Sequence, residues 1–146
     1  MGYITENSDT IKALKNIHDH LKPNGLFIFD VWNGLAVLRT LPELRVKELE
    51  NETIKILRIA YPNLNAFNHT CRVKYKLFVL DKTDQTFGEF EEEHNVRFYF
   101  PQEIRLFLEM AGFEVLKICP FLDLSGKVDE SVWNIAVVAR AVGGKV

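Results

Sequence analysis

A carboxylate and an imidazole stand two residues apart in the acidic stretch near residue 90. Glu92 and His94 alternate there with Glu91 and Glu93. In a β-strand, residues i and i+2 point to the same face, about 7 Å apart along the strand. A carboxylate beside an imidazole can take a proton from a hydroxyl or an amine. We therefore name Glu92 and His94 as candidate catalytic residues.

The same pair has a purely structural explanation. The strand that carries it could project past the hydrophobic core, so that both side chains are simply solvated. His69 and Arg72 fall on the preceding predicted strand and fit either explanation. In the catalytic one, they would bind the substrate beside Glu92 and His94.

A second group of candidate residues follows a short apolar run. Leu26–Phe29 is apolar at every position, whereas a half-exposed strand would alternate. This pattern predicts a strand covered on both faces, as in parallel sheets. Ligands of open α/β sheets gather at the carboxyl ends of strands, so Asp30, Trp32 and Asn33 are candidate substrate-binding residues. Asp30 could instead cap a loop, and Asn33 could bind its own turn.

Hydrophobic spacing and turn residues predict the elements around this run. Apolar residues recur every three or four positions over 8–21 and again after Pro101, which indicates two amphipathic helices. Pro23-Asn24-Gly25 turns the first helix into the apolar strand, and Gly112 ends the second helix. The remaining predicted elements are a short helix within 33–44 and strands over 26–31, 113–119 and 132–141.

Long alternating strands fill the middle of the chain. They are predicted over 53–61, 67–80 and 86–99, after a shorter strand over 45–49. Turn residues at 62–65 and 81–84 separate them, and such short links indicate an antiparallel meander with one solvated face.

The last of these strands has two chemically different faces. Its apolar face carries Phe90, Val96 and Phe98, and its polar face carries Glu89, Glu91, Glu93, Asn95 and Arg97. Lys74 and Lys76 of the preceding strand are possible cross-strand partners of these glutamates.

Composition narrows the classes of protein that the chain can belong to. Its 146 residues, 47% hydrophobic and 26% charged, suit one globular domain with a core. A net charge of −2 gives no reason to expect nucleic acid, and no apolar run is long enough to span a membrane. Cys71 and Cys119 are too few for a disulfide scaffold or a zinc site, and no metal site is expected. We expect a cytoplasmic protein with reduced thiols.

Three motifs, taken in order, carry a resemblance to a known family. They are Leu21-Lys22-Pro23-Asn24-Gly25, Ala111-Gly112-Phe113 and the closing stretch Trp133–Ala141. Over roughly 1–35 and 97–141 the chain resembles the C-terminal half of class I S-adenosylmethionine-dependent methyltransferases. The resemblance implies an α/β fold (α+β in these residues) with a partial Rossmann-like sheet. Residues 1–44 and 98–146 would form the core, and 45–97 an inserted antiparallel β-meander on the acceptor side, as one compact unit.

The resemblance also implies an activity and a cofactor. The activity is methyl transfer from S-adenosylmethionine to an oxygen or nitrogen of a small-molecule acceptor. Tyr3 would lie in the loop after the family's fourth strand, which faces the methyl-donor pocket, or else pack on the first helix. The family's glycine-rich cofactor loop has no counterpart, because Gly2, Gly25 and Gly34 are isolated. A C-terminal fragment that binds the cofactor weakly or not at all is therefore expected.

A different class of protein is also compatible with the sequence. An incomplete sheet would leave an unpaired edge at strand 26–31, and such edges recruit partners. The chain could thus be a non-catalytic binding or assembly module that dimerises through this edge. In either case we expect a homo-oligomer, or a partner that covers the edge.

Overall fold

The computed structural model describes residues 1–143, which form three helices and seven strands. In chain order these are α1 (Asn7–His20), β1 (Leu26–Asn33), α2 (Gly34–Thr40), β2 (Arg45–Glu50), β3 (Ile54–Asn65), β4 (Thr70–Asp81), β5 (Phe87–Tyr99), α3 (Pro101–Met110), β6 (Phe113–Pro120) and β7 (Asn134–Ala141). They form two compact units. Unit 1 comprises Met1–Leu41 and the chain from Arg97 onward, and unit 2 comprises Pro42–Val96.

Unit 1 is built on a mixed sheet with strand order β5-β1-β7-β6. β7 is antiparallel to both of its neighbours, from Leu26↔Arg140 to Trp32↔Asn134 on the β1 side. β1 is parallel to the end of β5, where the register pairs Trp32 with Phe98 and Asn33 with Tyr99. Parallel and antiparallel neighbours in one sheet are typical of α/β folds with an added edge strand.

Helices α1 and α3 cover one face of this sheet. Their Leu14, Ile104, Phe107 and Leu108 pack with residues of β1, β6 and β7 in a single apolar cluster. The opposite face is largely open among the described residues, because Leu26 is 53% and Ile28 64% exposed. The prediction that both faces of β1 are covered is therefore wrong for this part of the chain, since α1 and α3 both pack on one side.

Unit 2 is a meander with strand order β2-β3-β4-β5, and β3 is antiparallel to both of its neighbours. The predicted cross-strand ion pairs are confirmed. The ammonium group of Lys74 lies 2.8 Å from Glu91, and that of Lys76 lies 3.3 Å from Glu89. These contacts lie on one face of the sheet, as the alternation of charged and apolar residues predicts.

The predicted turn at 62–65 is wrong, because β3 continues to Asn65 and the chain turns at 66–69. Pro62 is tolerated in the strand because it lies beyond Ala60, the last residue that pairs with β2, so its missing N–H breaks no bond to β2. Asn68 N–H donates to Asn65 Oδ1, and His69 has a φ of 55°, so the turn forms after the proline.

The helix ends agree with the sequence in part. α3 begins at Pro101, and Gly112 follows it with a φ of +86°, as predicted. α1 begins at Asn7, one residue earlier than the predicted range of 8–21, and Glu6 is its N-cap residue. The other predicted helices and strands of the described residues are present with shifted ends.

Candidate functional site

Four side chains from three strands meet on one face of unit 2; we call them the histidine cluster. His94 Nε2 lies 3.3 Å from Glu92 Oε2, as the two-residue spacing predicts. The His94 ring meets the Tyr75 ring edge-to-face at 5.5 Å, and the Arg58 guanidinium lies 5.3 Å from the Tyr75 ring centroid. The side chain of His94 is 31% exposed and that of Glu92 is 62% exposed, so solvent and small molecules can reach both.

This arrangement is chemically suited to proton transfer. When the Nε2–H of His94 donates to the Glu92 carboxylate, Nδ1 is the basic nitrogen of the ring. The carboxylate also stabilises the imidazolium that forms when the ring takes a proton. The Tyr75 ring and the Arg58 cation add an aromatic face and a positive charge, which can orient a polar ligand.

Two further predicted residues stand apart from the histidine cluster. His69 was predicted on the strand, but it lies in the turn before β4. It precedes Tyr75 by six residues, roughly 20 Å along the chain direction. Arg72 alternates with Cys71 and Val73, so its side chain points to the opposite face from Tyr75.

At the carboxyl end of β1, Asn33 links three elements of unit 1. It is fully buried, and its Nδ2 donates to the carbonyl oxygens of Asp129 and Val132, both at 2.9 Å. Its Oδ1 accepts from Leu35 N–H at 3.2 Å and so caps α2. Its buried polar atoms are thus engaged with the chain itself, as in the turn-binding explanation.

Asp30 and Trp32 lie on the other face of β1, because side chains alternate along a strand. Asp30 is exposed, and Trp32 packs edge-to-face on Trp133 with the ring centroids 5.5 Å apart. The structure therefore brings Asp30 and Trp32 to one face of β1 and separates Asn33 from them.

Tyr3 projects from an N-terminal segment that β5 holds in place. Its side chain is exposed, at 70%. The carbonyl oxygens of the residues before and after Tyr3 accept hydrogen bonds from β5. Gly2 O accepts from Arg97 N–H at 2.6 Å, and Ile4 O accepts from the Tyr99 hydroxyl at 3.2 Å. Burial is the main cause that raises the pKa of Tyr99, so this hydroxyl stays protonated as a donor.

Sequence reasoning missed Arg97, which it placed on the solvated face of β5. Its side chain is 4% exposed and donates to Thr5 O at 2.9 Å, to Asn7 Oδ1 at 2.7 Å and to Glu103 Oε1. The guanidinium also lies over the rings of Tyr99 and Phe107. The alternation of charged residues along β5 gave no signal of this, because burial at Arg97 comes from contacts distant in sequence.

The two glycines that flank β1 are in close contact with neighbouring atoms of the chain. A Cβ at Gly25 would lie 2.8 Å from the Lys22 carbonyl oxygen, and a Cβ at Gly34 would lie 2.8 Å from the Phe100 ring. Neither glycine therefore opens a cradle for a ligand. Among residues 1–143, no group of three or more His, Cys, Asp and Glu could hold a metal ion, and no helix is long and apolar enough to cross a membrane.

Comparison with known proteins gives a fold. No family model matches the chain, and no curated protein matches it. Among solved structures, a methyltransferase from Clostridium acetobutylicum superposes with a TM-score of 0.81 at 21% identity, over 97% of this chain. The chain has the fold of S-adenosylmethionine-dependent methyltransferases. The predicted Rossmann-like α/β fold with an inserted meander is thus confirmed.

Two further solved structures share this methyltransferase fold. CcbJ from Streptomyces caelestis and the amino pentose methyltransferase CalS10 from Micromonospora echinaspora both give TM-scores of 0.68, at 19% and 15% identity. They match over 96% and 97% of this chain. The match spans only 55%, 56% and 54% of the Clostridium, CcbJ and CalS10 chains, so this chain spans about half of their length.

Proposed function

We propose that the chain is part of a methyltransferase that transfers a methyl group from S-adenosylmethionine to an oxygen or nitrogen of a small-molecule acceptor. The superposition at a TM-score of 0.81 carries this proposal. The neighbours include an amino pentose methyltransferase and a sugar N-methyltransferase, which favours a polar small-molecule acceptor. The net charge of −2 gives no attraction to nucleic acid. We expect the protein to work in the cytoplasm, with Cys71 and Cys119 reduced.

In this proposal, the histidine cluster binds the acceptor and takes its proton. His94 is the base, and Glu92 orients its ring and stabilises the imidazolium. Arg58 and Tyr75 hold the polar acceptor beside it. Asp30 and Trp32 form a second acceptor-binding surface on β1, and Asn33 positions the end of that strand. His69 and Arg72 remain predicted substrate ligands.

Within residues 1–143, the two glycines that flank β1 open no cradle for the cofactor. The space beside Gly25 and Gly34 is occupied by other atoms of the chain. Tyr3 is the one residue that we assign to the methyl-donor pocket. We therefore expect the 146 residues alone to bind S-adenosylmethionine weakly or not at all in titration calorimetry. Tight, stoichiometric binding would contradict this assignment.

Acceptor binding can be tested without the cofactor. We expect amino pentoses, or other small amines and alcohols, to shift the NMR signals of the His94 and Tyr75 rings saturably. His94→Gln should weaken this binding about tenfold, since it removes a hydrogen-bonding base. His20→Gln is the matched control, because His20 is exposed on α1 and bonds to Asn16 O of its own helix. If no acceptor class shifts the cluster, its proposed role fails.

The alternative is a non-catalytic module that dimerises through its incomplete sheet. The open face of β1 favours it, because Leu26 and Ile28 are more than half exposed. Light scattering at micromolar concentration distinguishes the alternatives when combined with the acceptor titration. A homodimer that binds no acceptor would support the module.

A further inference from the structure

The two faces of the unit 2 sheet carry their positive charges in different ways. On the face opposite the histidine cluster, each lysine of β3 and β4 has a carboxylate partner. The ammonium group of Lys55 lies 2.8 Å from Glu48. Lys74 and Lys76 both contact Glu91, at 2.8 and 3.2 Å. The lysine charges of this face are therefore compensated within the sheet.

The face that carries the histidine cluster, here called the cluster face, has three cations without such partners. Lys47 of β2 pairs in register with Arg58 of β3, and Arg45 lies two residues before Lys47 on the same face. Within residues 1–143, no Asp or Glu forms an ion pair with any of the three. Like charges directly opposite each other destabilise a sheet, so stability does not account for Lys47 beside Arg58.

Two strand carboxylates share the cluster face, and neither neutralises these cations. Glu92 contacts His94 at 3.3 Å. Asp81 pairs with Ile54, which is four residues from Arg58 and thus about 13 Å away along the strand. The middle of the cluster face therefore has an excess of positive charge, which attracts anions.

Arg58 is held in a position from which it can bind an anion. Its guanidinium lies 5.3 Å from the centroid of the Tyr75 ring. Packing on a ring fixes the plane of the guanidinium and leaves its N–H donors at the rim, where they match the oxygens of a carboxylate or a phosphate. The backbone positions of Arg45 and Lys47 lie within about 8 Å of Arg58, so the three side chains can reach one anionic group.

An apolar row borders the three cations on the same face. Leu49 of β2 pairs with Ile56 of β3, and Ile56 pairs with Val79 of β4. Phe90 lies two residues before Glu92 and extends this surface onto β5. Leu49 is 45% and Phe90 57% exposed, so both are open to a ligand. A molecule whose anionic group binds the cations can therefore bury an apolar part on this row.

We propose that the cluster face binds an acceptor that carries a carboxylate or a phosphate beside an apolar part. Arg45, Lys47 and Arg58 bind the anionic group, and the apolar part packs on the row that begins at Leu49. Tyr75 contacts both Arg58 and His94, so the bound acceptor lies beside the base. The inference rests on the proposed function, because it names the class of acceptor that the histidine cluster takes.

Titration calorimetry with simple probes tests the charge and the apolar part separately. Phenyl phosphate and benzoate carry both, inorganic phosphate carries only the charge, and phenol carries only the ring. We expect the two anionic aromatic probes to bind about tenfold more tightly than inorganic phosphate or phenol. Arg58→Met should weaken their binding about tenfold. Lys55→Met is the matched control, because Lys55 lies on the other face of the same strand, and it should change the binding by less than about twofold.

Lys47→Glu separates ligand binding from a structural role. It should abolish binding of the anionic probes, yet raise the midpoint of urea denaturation, because it replaces a like-charge pair by an ion pair opposite Arg58. If Lys47 served only the stability of the sheet, the midpoint would fall instead.

Different outcomes overturn this inference and the proposed function. The inference is overturned if the anionic probes do not bind, if phenol binds as tightly as phenyl phosphate, or if Lys55→Met weakens binding as much as Arg58→Met. It is also overturned if amines or alcohols shift the His94 signals equally with and without Arg58→Met, a result that leaves the proposed function standing. If the anionic probes bind through Arg58 but no amine or alcohol shifts His94, the anion site stands and the proposed function fails.

Discussion

Arg97 joins the N-terminal segment, β5 and α3 through one buried side chain. Glu103 has a double role beside it, because one carboxylate oxygen accepts from Arg97 and the other accepts from Phe100 N–H at the start of α3. The planar guanidinium suits several acceptors at fixed angles, which a lysine ammonium cannot reproduce. Arg97 therefore positions the segment that carries Tyr3.

Arg97→Met should lower the free energy of unfolding by about 3 kcal/mol, because it removes the buried guanidinium that binds the partly buried acceptors of Thr5, Asn7 and Glu103. Urea denaturation measures this loss. Arg39→Met is the control, since Arg39 pairs with Glu130 at 2.7 Å but both side chains are more than half exposed. It should cost less than about 1 kcal/mol. If both variants lost the same free energy of unfolding, burial of the Arg97 side chain would not contribute to stability.

For individual side chains, the sequence predicted contacts between near neighbours and missed the contacts of Arg97 with residues distant in sequence. Glu92 and His94 are two residues apart, so strand geometry alone brings them together. The acceptors of the Arg97 side chain lie up to 92 residues away along the chain, and no local sequence pattern predicts them. Asn33 makes both kinds of contact. Its hydrogen bond to Leu35, two residues away, was predictable from the sequence, whereas its hydrogen bonds to Asp129 and Val132 were not.

Helices and strands were predictable where one residue type has a single dominant effect. α3 begins at Pro101 because proline fixes φ at a helical value, and it ends before Gly112 because glycine accepts a positive φ. The β3–β4 turn was mispredicted because Pro62 usually breaks a strand, and its tolerance depends on how far β2 extends alongside.

Gly112→Ala tests the end of α3. The glycine has a φ of +86°, and an added Cβ would lie 3.0 Å from His18 Nε2 of α1. We expect a loss of about 1–2 kcal/mol in unfolding free energy, from backbone strain and the displaced His18 ring. Gly143→Ala has a similar φ of +88° but meets no atom within 4 Å, so it carries the backbone strain without a displaced side chain and should cost less than Gly112→Ala. Thermal or urea denaturation would refute this if both variants were equally destabilised.

For the whole molecule, the sequence predicted which elements occur but not which faces remain uncovered. The apolar run of β1 predicted a strand covered on both faces, but Leu26 and Ile28 are more than half exposed among the described residues. Whether 146 residues supply both layers depends on where α1 and α3 pack, and hydrophobic spacing alone does not report that. The exposure of Ile28 therefore shows where hydrophobic spacing fails as a predictor: it reports that a residue is apolar but not which element packs against it.

Burial is distributed unevenly among the strands, and hydrogen exchange should reflect this. β7 has strands on both sides and its Ile135, Val137 and Ala139 are fully buried, whereas β2 pairs only with β3 and is exposed throughout. We expect the amides of β7 to exchange roughly a hundredfold more slowly than those of β2, because opening free energies rise with local burial. β3 is the control that separates the two causes, since it also pairs on both sides but its side chains are half-buried or exposed. It should exchange at an intermediate rate. If β3 matched β7, pairing alone would explain the protection, and if β2 matched β7, the described residues would open as one cooperative unit.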